Sequence, residues 1–244
     1  MPAQGSADDA LLHEKIMRYQ YVGLAVGYGY WKSDADFGIT DNSLPCARFS
    51  DGDGHGPVVE IKGIFYPLQS TWFLVSPRLR YETRSGSFIT ALPGEPVRGE
   101  NNERVILQQE AQVDATMATL TLEGLIGLEF AETGLYMGVG GSAGLLLDGL
   151  YDYTERILSP EGFVYAENGE TEKQLLGGRE FETYKSITFD LRGALGYMYR
   201  ASDTWAFNIE AVYAHPITSS FEDPDMLKQQ GFFGTLGILY NFGD

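Results

Sequence analysis

The residues best suited to chemistry in this chain are seven charged side chains within segments that alternate like β-strands. They are Lys62, Arg78, Arg80, Glu123, Asp190, Arg192 and Glu210. Most of them lie six to nine residues from a short predicted turn, so the sequence predicts that the seven form one layer. Such a layer can be a plug of paired charges, because buried charges are tolerated only when they are paired and hydrogen-bonded. It can also be a path for protons or ions.

A second set of residues could support nucleophilic catalysis. His215 is followed by Ser219, Ser220 and Glu222. Eight-stranded lipid A deacylases use a His, Ser and Glu set on their outward surface, with the His and Ser two residues apart. Here Pro216 and Ile217 follow the histidine instead. A nucleophile and its base must lie within hydrogen-bond reach, so we expect no catalysis at His215.

Metal and thiol chemistry have little support in the sequence. Residues 51–57 contain two carboxylates among glycines, Asp51 and Asp53, but lack the spacing and the downstream Glu of an EF-hand. We expect a flexible loop there, with His55 exposed. Cys46 is the single cysteine and cannot form an intrachain disulfide, so we expect an incidental loop thiol. No cofactor and no metal site is predicted.

The elements that position these residues are eight strand-like runs, separated by alternately long and short connections. The runs are residues 19–36, 58–68, 71–84, 105–130, 134–150, 183–200, 204–218 and 229–242. The short connections are Gln69-Ser70, Ala131-Glu132-Thr133 and Ala201-Ser202-Asp203. Outer-membrane barrels have an even strand number, short periplasmic turns and long outer loops. The sequence therefore predicts an all-β fold, an eight-stranded antiparallel up-and-down transmembrane β-barrel.

Side-chain alternation predicts which face of the sheet meets lipid. In the fourth run Leu122, Ile126 and Leu128 share one parity, and Thr121 and Glu123 share the other. Successive strand side chains point to opposite faces, and apolar bands of about 9 to 11 residues suit a tilted strand that crosses a bilayer. The polar parity combines glycines with long charged side chains. Because an eight-stranded interior is just wide enough for side chains to fill, we expect a packed lumen, in which Arg78, Arg80 and Arg192 pair with Glu123, Asp190 and Glu210.

Composition excludes several classes of protein. The chain has 244 residues, 30 Gly, 15 Tyr and 14 Phe, and no apolar run that approaches the roughly 18 residues of a membrane helix. The formal net charge is -17. Nucleic acid is an improbable partner, because its binding needs a basic surface. Acidic residues concentrate in the connections 151–182 and 219–228, where they could meet a basic protein partner or simply keep the surface solvated.

The N-terminal residues form a separate segment in this interpretation. Residues 1–18 are predicted to be a periplasmic extension, with a short helical pattern around His13, and residues 19–244 to be the barrel. The extension lacks the apolar core of a signal peptide, which an exported protein needs. We therefore expect a mature chain with an added Met1.

The last strands carry a resemblance to a known family. The segment from Gly231 to Phe242 alternates apolar and small residues and ends in Tyr-Asn-Phe, and a hairpin, residues 193–218, precedes it. These segments resemble small OmpA/OmpX-like and Bacteroidota-type outer-membrane barrel domains. The resemblance implies residence in the bacterial outer membrane, contact with membrane lipids and lipopolysaccharide, and recognition of the C-terminal strand by the outer-membrane assembly machinery. It does not imply one function.

Three functions stay open from the sequence. The leading hypothesis is a non-enzymatic membrane scaffold, whose acidic extracellular loops serve surface interaction or envelope integrity. The alternative is a narrow pore or channel for small or hydrophobic solutes. The third is an outer-leaflet lipid-modifying enzyme.

Overall fold

The computed structural model describes residues 20–39, 47–67, 72–99, 102–131, 133–181, 184–222 and 226–243. The predicted extension 1–18 and the predicted turn Gln69-Ser70 lie outside these residues. Within this part of the chain there is no helix of the length and hydropathy needed to cross a membrane.

Ten antiparallel strands make up the described fold. They are β1 (Gln20–Gly38), β2 (Arg48–Phe65), β3 (Phe73–Ala91), β4 (Glu95–Arg98), β5 (Arg104–Glu129), β6 (Leu135–Ser159), β7 (Glu172–Glu180), β8 (Ile187–Arg200), β9 (Trp205–Pro216) and β10 (Met226–Asn241). Eight of them form a closed ring in the order β5-β3-β2-β1-β10-β9-β8-β6, because β6 also pairs with β5. The predicted eight-stranded antiparallel barrel is confirmed, and β4 and β7 are additions at one end.

The two ends of the barrel differ. At one end, here named the turn end, β5 and β6 are joined by residues 130–134, and β8 and β9 by residues 201–204. Ala131 and Gly134 have positive φ angles of 47° and 84°, which a turn this tight requires. The backbone N–H of Asn241 donates to the carbonyl of Thr204 at 2.7 Å, and that of Gln20 donates to the side chain of Asn241 at 3.1 Å, so β1 begins and β10 ends at the turn end. The opposite end is named the loop end.

The loop end is more ordered than the sequence predicted. Residues 51–57, expected to be a loop, belong to β2, and the connection 151–182 contains the end of β6 and all of β7. The segment 51–57 is extended because it pairs on both sides: Asp53 lies opposite Lys32 of β1 and opposite Ser87 of β3. Such pairing outweighs the low strand propensity of Gly and Asp. His55 is exposed, as expected, and its ring lies 5.8 Å from that of Tyr28.

The outer surface of the ring has an apolar band between two aromatic girdles. Ile126, Val139 and Leu236 of the band are each more than half exposed. The girdle at the turn end consists of Trp72, Phe130, Tyr199, Trp205, Tyr240 and Phe242, and the second consists of Tyr28, Tyr30, Tyr81, Phe232 and the half-buried Tyr213. This arrangement is that of an outer-membrane-type barrel, with the band in contact with lipid.

The interior contains three apolar clusters. One lies at the turn end around Tyr21 and Leu74, and a second lies in the middle around Trp31 and Phe233. The third, here named the loop-end core, is built of aromatic and aliphatic side chains. Its members are Ala35, Phe37, Ile39, Ala47, Phe49, Phe88, Ala111, Val113, Ala115, Met117, Tyr153, Phe221 and Leu227. The strands therefore enclose a packed core beyond the lipid-facing band as well as within it.

The lipid contact of the band can be tested with two isoleucines of β5 that both point outward. Ile126 lies between the girdles and Ile106 lies beyond them, and they are 54% and 52% exposed. We expect Ile126→Arg to destabilise the barrel by about 2–4 kcal/mol and Ile106→Arg by about 0–1 kcal/mol, because a charge is costly only at membrane depth. Urea titrations in lipid vesicles measure both values. Equal losses would contradict the assigned band.

Candidate functional site

The structure brings all seven charged residues predicted for the lumen into one buried group. Three further residues of the same parity join them: Glu60, Glu82 and Arg84. Five cations and five carboxylates result, here named the central ionic cluster. Its members are Glu60, Lys62, Arg78, Arg80, Glu82, Arg84, Glu123, Asp190, Arg192 and Glu210. The formal charges cancel, and only Arg84 and Asp190 have side chains that are as much as 10% exposed.

Strand register places oppositely charged members side by side. Glu60 of β2 lies directly opposite Arg80 of β3, and Arg78 lies opposite Glu123 of β5. Directly opposed residues have Cβ atoms about 4.5–5.5 Å apart, so these oppositely charged side chains are within reach of each other. Lys62 lies opposite Arg78, a like-charged pair that would be unfavourable alone. The carboxylates of Glu60 from β2 and Glu210 from β9 offset this repulsion.

The ion pair between Arg78 of β3 and Glu210 of β9 crosses the lumen. The Arg78 guanidinium binds both carboxylate oxygens of Glu210, from Nη1 to Oε1 and from Nη2 to Oε2 at 2.8 Å. Tyr136 also donates its hydroxyl to Glu210. Its ring occupies the place where a Cβ on Gly196 would lie, so this wall position requires glycine. A bidentate pair of this kind fixes orientation as well as charge.

Glu60 joins two cations. Its Oε1 lies 2.7 Å from Lys62 Nζ, and its Oε2 lies 2.7 Å from Arg80 Nη2. Lys62 also donates to Asn208 Oδ1 at 2.7 Å. The ammonium is thereby held between β2 and β9.

Glu123 lies among three guanidinium groups. Its carboxylate oxygens are 2.9 Å from Arg80, 3.4 Å from Arg78 and 3.9 Å from Arg192. Neither oxygen has the geometry of a hydrogen bond. Glu123 is therefore stabilised by charge attraction rather than by aligned donors.

The part of the cluster nearest the loop end involves Asp190 and Glu82. Arg192 Nη2 lies 2.9 Å from Asp190 Oδ2 and 3.3 Å from Glu82 Oε1. Arg84 Nη2 lies 3.2 Å from Glu82 Oε2, and its Nη1 donates to Gln229 at 3.1 Å. The guanidinium groups of Arg80 and Arg192 also lie 4.5 and 5.1 Å from the ring of Phe233.

The predicted pairing of three arginines with three carboxylates describes part of this network. The contacts Arg78–Glu210, Arg80–Glu123 and Arg192–Asp190 are present. Sequence reasoning missed Glu60, Glu82 and Arg84. The signal for them was available, since each stands two residues from a predicted member, or from another missed one, on the same inward face.

A second ion pair, with its carboxylate buried and its guanidinium partly exposed, lies at the turn end. Arg200 Nη2 is 2.7 Å from Glu129 Oε2, and Tyr66 donates its hydroxyl to the same carboxylate. The backbone N–H of Gly134 donates to Glu129 at 2.9 Å. This pair ties the two described turns together, and the sequence analysis did not identify it.

The His215 set does not assemble. Tyr213 lies 3.4 Å from His215 Nδ1, and the Ser219 hydroxyl bonds to the backbone of Phe221 and Leu227. Between His215 and Ser219, Ser220 or Glu222, all of which the structure describes, there is no hydrogen bond. Nor do the described residues contain three or more His, Cys, Asp or Glu side chains grouped to hold a metal ion.

Comparison with known proteins gives similarity at the level of shape only. No protein-family model and no curated protein sequence matches the chain. Among solved structures, the chain is similar to the outer membrane protein OprG from Pseudomonas aeruginosa, at 12% identity over 92% of this chain and 96% of that one, with a TM-score of 0.46. Neisserial surface protein A gives 9% identity, 91% and 97% coverage, and a TM-score of 0.44. Ail, the attachment invasion locus protein of Yersinia pestis, gives 8% identity, 91% and 98% coverage, and a TM-score of 0.36.

The chain's own exterior and interior define its class. An apolar band between aromatic girdles surrounds a closed ring with a charged interior, as in the integral β-barrels of bacterial outer membranes. In the central ionic cluster each charge has an opposite charge within 4 Å, which is the pairing expected of a plug.

The dependence of stability on charge pairing can be measured at Arg78 and Glu210. We expect Arg78→Met to destabilise the barrel by about 3–5 kcal/mol, because it leaves Glu210 buried without its main partner. The double variant Arg78→Met/Glu210→Gln should recover most of that loss. A matched control is Arg156→Met at the exposed pair with Glu172, where we expect about 0–1 kcal/mol. Urea unfolding in vesicles gives all three values, and equal costs at the two arginines would contradict the plug.

Proposed function

We propose that this protein is a non-conducting, membrane-anchored scaffold that presents an acidic β-sheet extension at the cell surface. The observation that carries the proposal is the filled interior. Apolar clusters lie on both sides of the central ionic cluster, and the cavity beside Arg84 measures about 10 Å³. That volume is about the room for one water molecule, which is too little for a hydrated ion or a solute.

The extension supports a role outside the bilayer. β5 has 26 residues and β6 has 25, whereas about 9–11 are enough to cross the membrane. The additional residues extend toward the loop end, where they pack around the loop-end core. Short turns are periplasmic in barrels of this type, which puts the extension on the extracellular side.

The charge of the extension suggests the kind of partner. In the hairpin of β6 and β7, Arg156 pairs with Glu110 and Glu172, and Lys173 pairs with Glu167. The hydrogen bond from Lys173 holds the pKa of Glu167 below its ordinary value. Among residues 151–181, four exposed acids have no ion-pair partner within the described part of the chain: Asp152, Glu161, Glu170 and Glu180. A basic surface would complement them.

Conductance tests the filled interior. We expect the wild-type protein in a planar bilayer to give no steady current, because the central ionic cluster closes the lumen. A double variant that shortens two plug side chains, Arg78→Ala/Glu210→Ala, is the positive control, and we expect it to admit small ions. A steady ion-selective current through the wild-type protein would overturn the scaffold proposal and favour the pore.

Charge removal tests the surface role. We expect cells with the quadruple variant Asp152→Asn/Glu161→Gln/Glu170→Gln/Glu180→Gln to bind polylysine-coated beads less than cells with the wild-type protein do. The difference should fall at high salt, because exposed charges are screened. A matched control removes two acids elsewhere on the loop end, Asp51→Asn/Asp53→Asn. Equal binding by all three would contradict a special role for the hairpin.

A further inference from the structure

We propose that one water molecule binds inside the barrel, between the central ionic cluster and the loop-end core, as a hydrogen-bond acceptor for Trp31 and Arg84. The two side chains line a common cavity of about 10 Å³. The other lining residues are Ser33, Gly54, Ser85, Gly86, Phe88, Ala115, Met117 and Gln229.

Two buried donors point to an acceptor in this cavity. Neither Trp31 Nε1 nor Arg84 Nε has a protein acceptor, and both atoms are shielded from solvent. The rest of the Arg84 guanidinium is occupied, because Nη1 donates to Gln229 and Nη2 donates to Glu82. A buried donor without a partner carries its full cost of desolvation. One acceptor that binds both N–H groups removes the desolvation cost of each.

The size and polarity of the cavity select water. Its volume matches one water molecule, and buried waters typically make about three hydrogen bonds to buried polar groups. Two of these come from Trp31 and Arg84. A third partner is available in Ser33, whose hydroxyl oxygen accepts from Gln229 at 3.3 Å and has a second lone pair.

Charge balance argues against a small anion at the same place. The central ionic cluster already has five cations and five carboxylates, so a halide would add a buried charge without an opposite one. A neutral acceptor satisfies both donors without that penalty. The polar network stops at this water, because Phe88 and Met117, which also line the cavity, belong to the apolar loop-end core.

Crystals soaked in sodium bromide distinguish the two acceptors. We expect one density peak within hydrogen-bond distance of both Trp31 Nε1 and Arg84 Nε, with no anomalous signal from bromide. An anomalous peak there would replace the water by an anion, and an empty cavity at a resolution that reveals other ordered waters would overturn the proposal.

A solution measurement does not depend on crystals. In ¹⁵N-tryptophan protein in nanodiscs, we expect the Trp31 indole N–H to resist exchange with solvent and still to show a cross-peak to a long-lived water. The change Ala115→Val adds methyl groups to the cavity lining and should abolish that cross-peak. Ala111→Val, in the same core but outside the lining, should retain it. Absence of the cross-peak in the wild-type protein, or its survival in Ala115→Val, would contradict the bound water.

Discussion

The central ionic cluster holds ten charged side chains away from bulk water, and the barrel depends on giving each one a partner. Neighbouring strands satisfy part of this demand, as Glu60 and Arg80 do across β2 and β3. Side chains two residues apart on one strand satisfy more of it, as Arg192 and Asp190 do, and Glu210 is satisfied only across the lumen. Glu210 of β9 reaches Arg78 of β3, on the opposite side of the eight-stranded ring. Because an unpaired buried charge is strongly destabilising, the cluster favours the fully closed ring over partly paired sheets.

The same pairing supports the proposal that the interior is closed to solutes. A charged layer wide enough to fill the ring leaves little free volume, and the apolar clusters above and below it separate it from bulk water. The aromatic rings of Phe233 and Trp31 lie against Arg80, Arg192 and Arg84. Charge, cation–π contact and apolar packing therefore follow one another along the axis, which is the reason for proposing that the outer surface carries the function.

The extension at the loop end has an exposed sheet edge, which must be kept from pairing with other chains. β7 is the last strand on its side, and such edges tend to pair with other chains. Here local groups already bind its backbone. Asn168 donates to the carbonyl of Glu172 at 2.7 Å, and the N–H of Gly178 donates to Asp152 at 2.8 Å. Register shifts against β6 and the charges of the hairpin further discourage edge pairing, so contact through side chains suits this surface better than strand addition.

The sequence by itself determined the number of ring strands, the lipid-facing parity and the inward position of residues such as Lys62 and Glu123, because alternation along a strand is a local property. It left undecided what lies opposite each residue, because strand register is set by pairing between distant segments. That is why the pairing partners of Glu60, Glu82 and Arg84 emerged only in the tertiary structure. The same holds for residues 51–57, whose glycines and aspartates favour a loop locally but become extended between β1 and β3. It holds also for His215 and Ser219, which are close in the chain yet are directed to different partners by the end of β9.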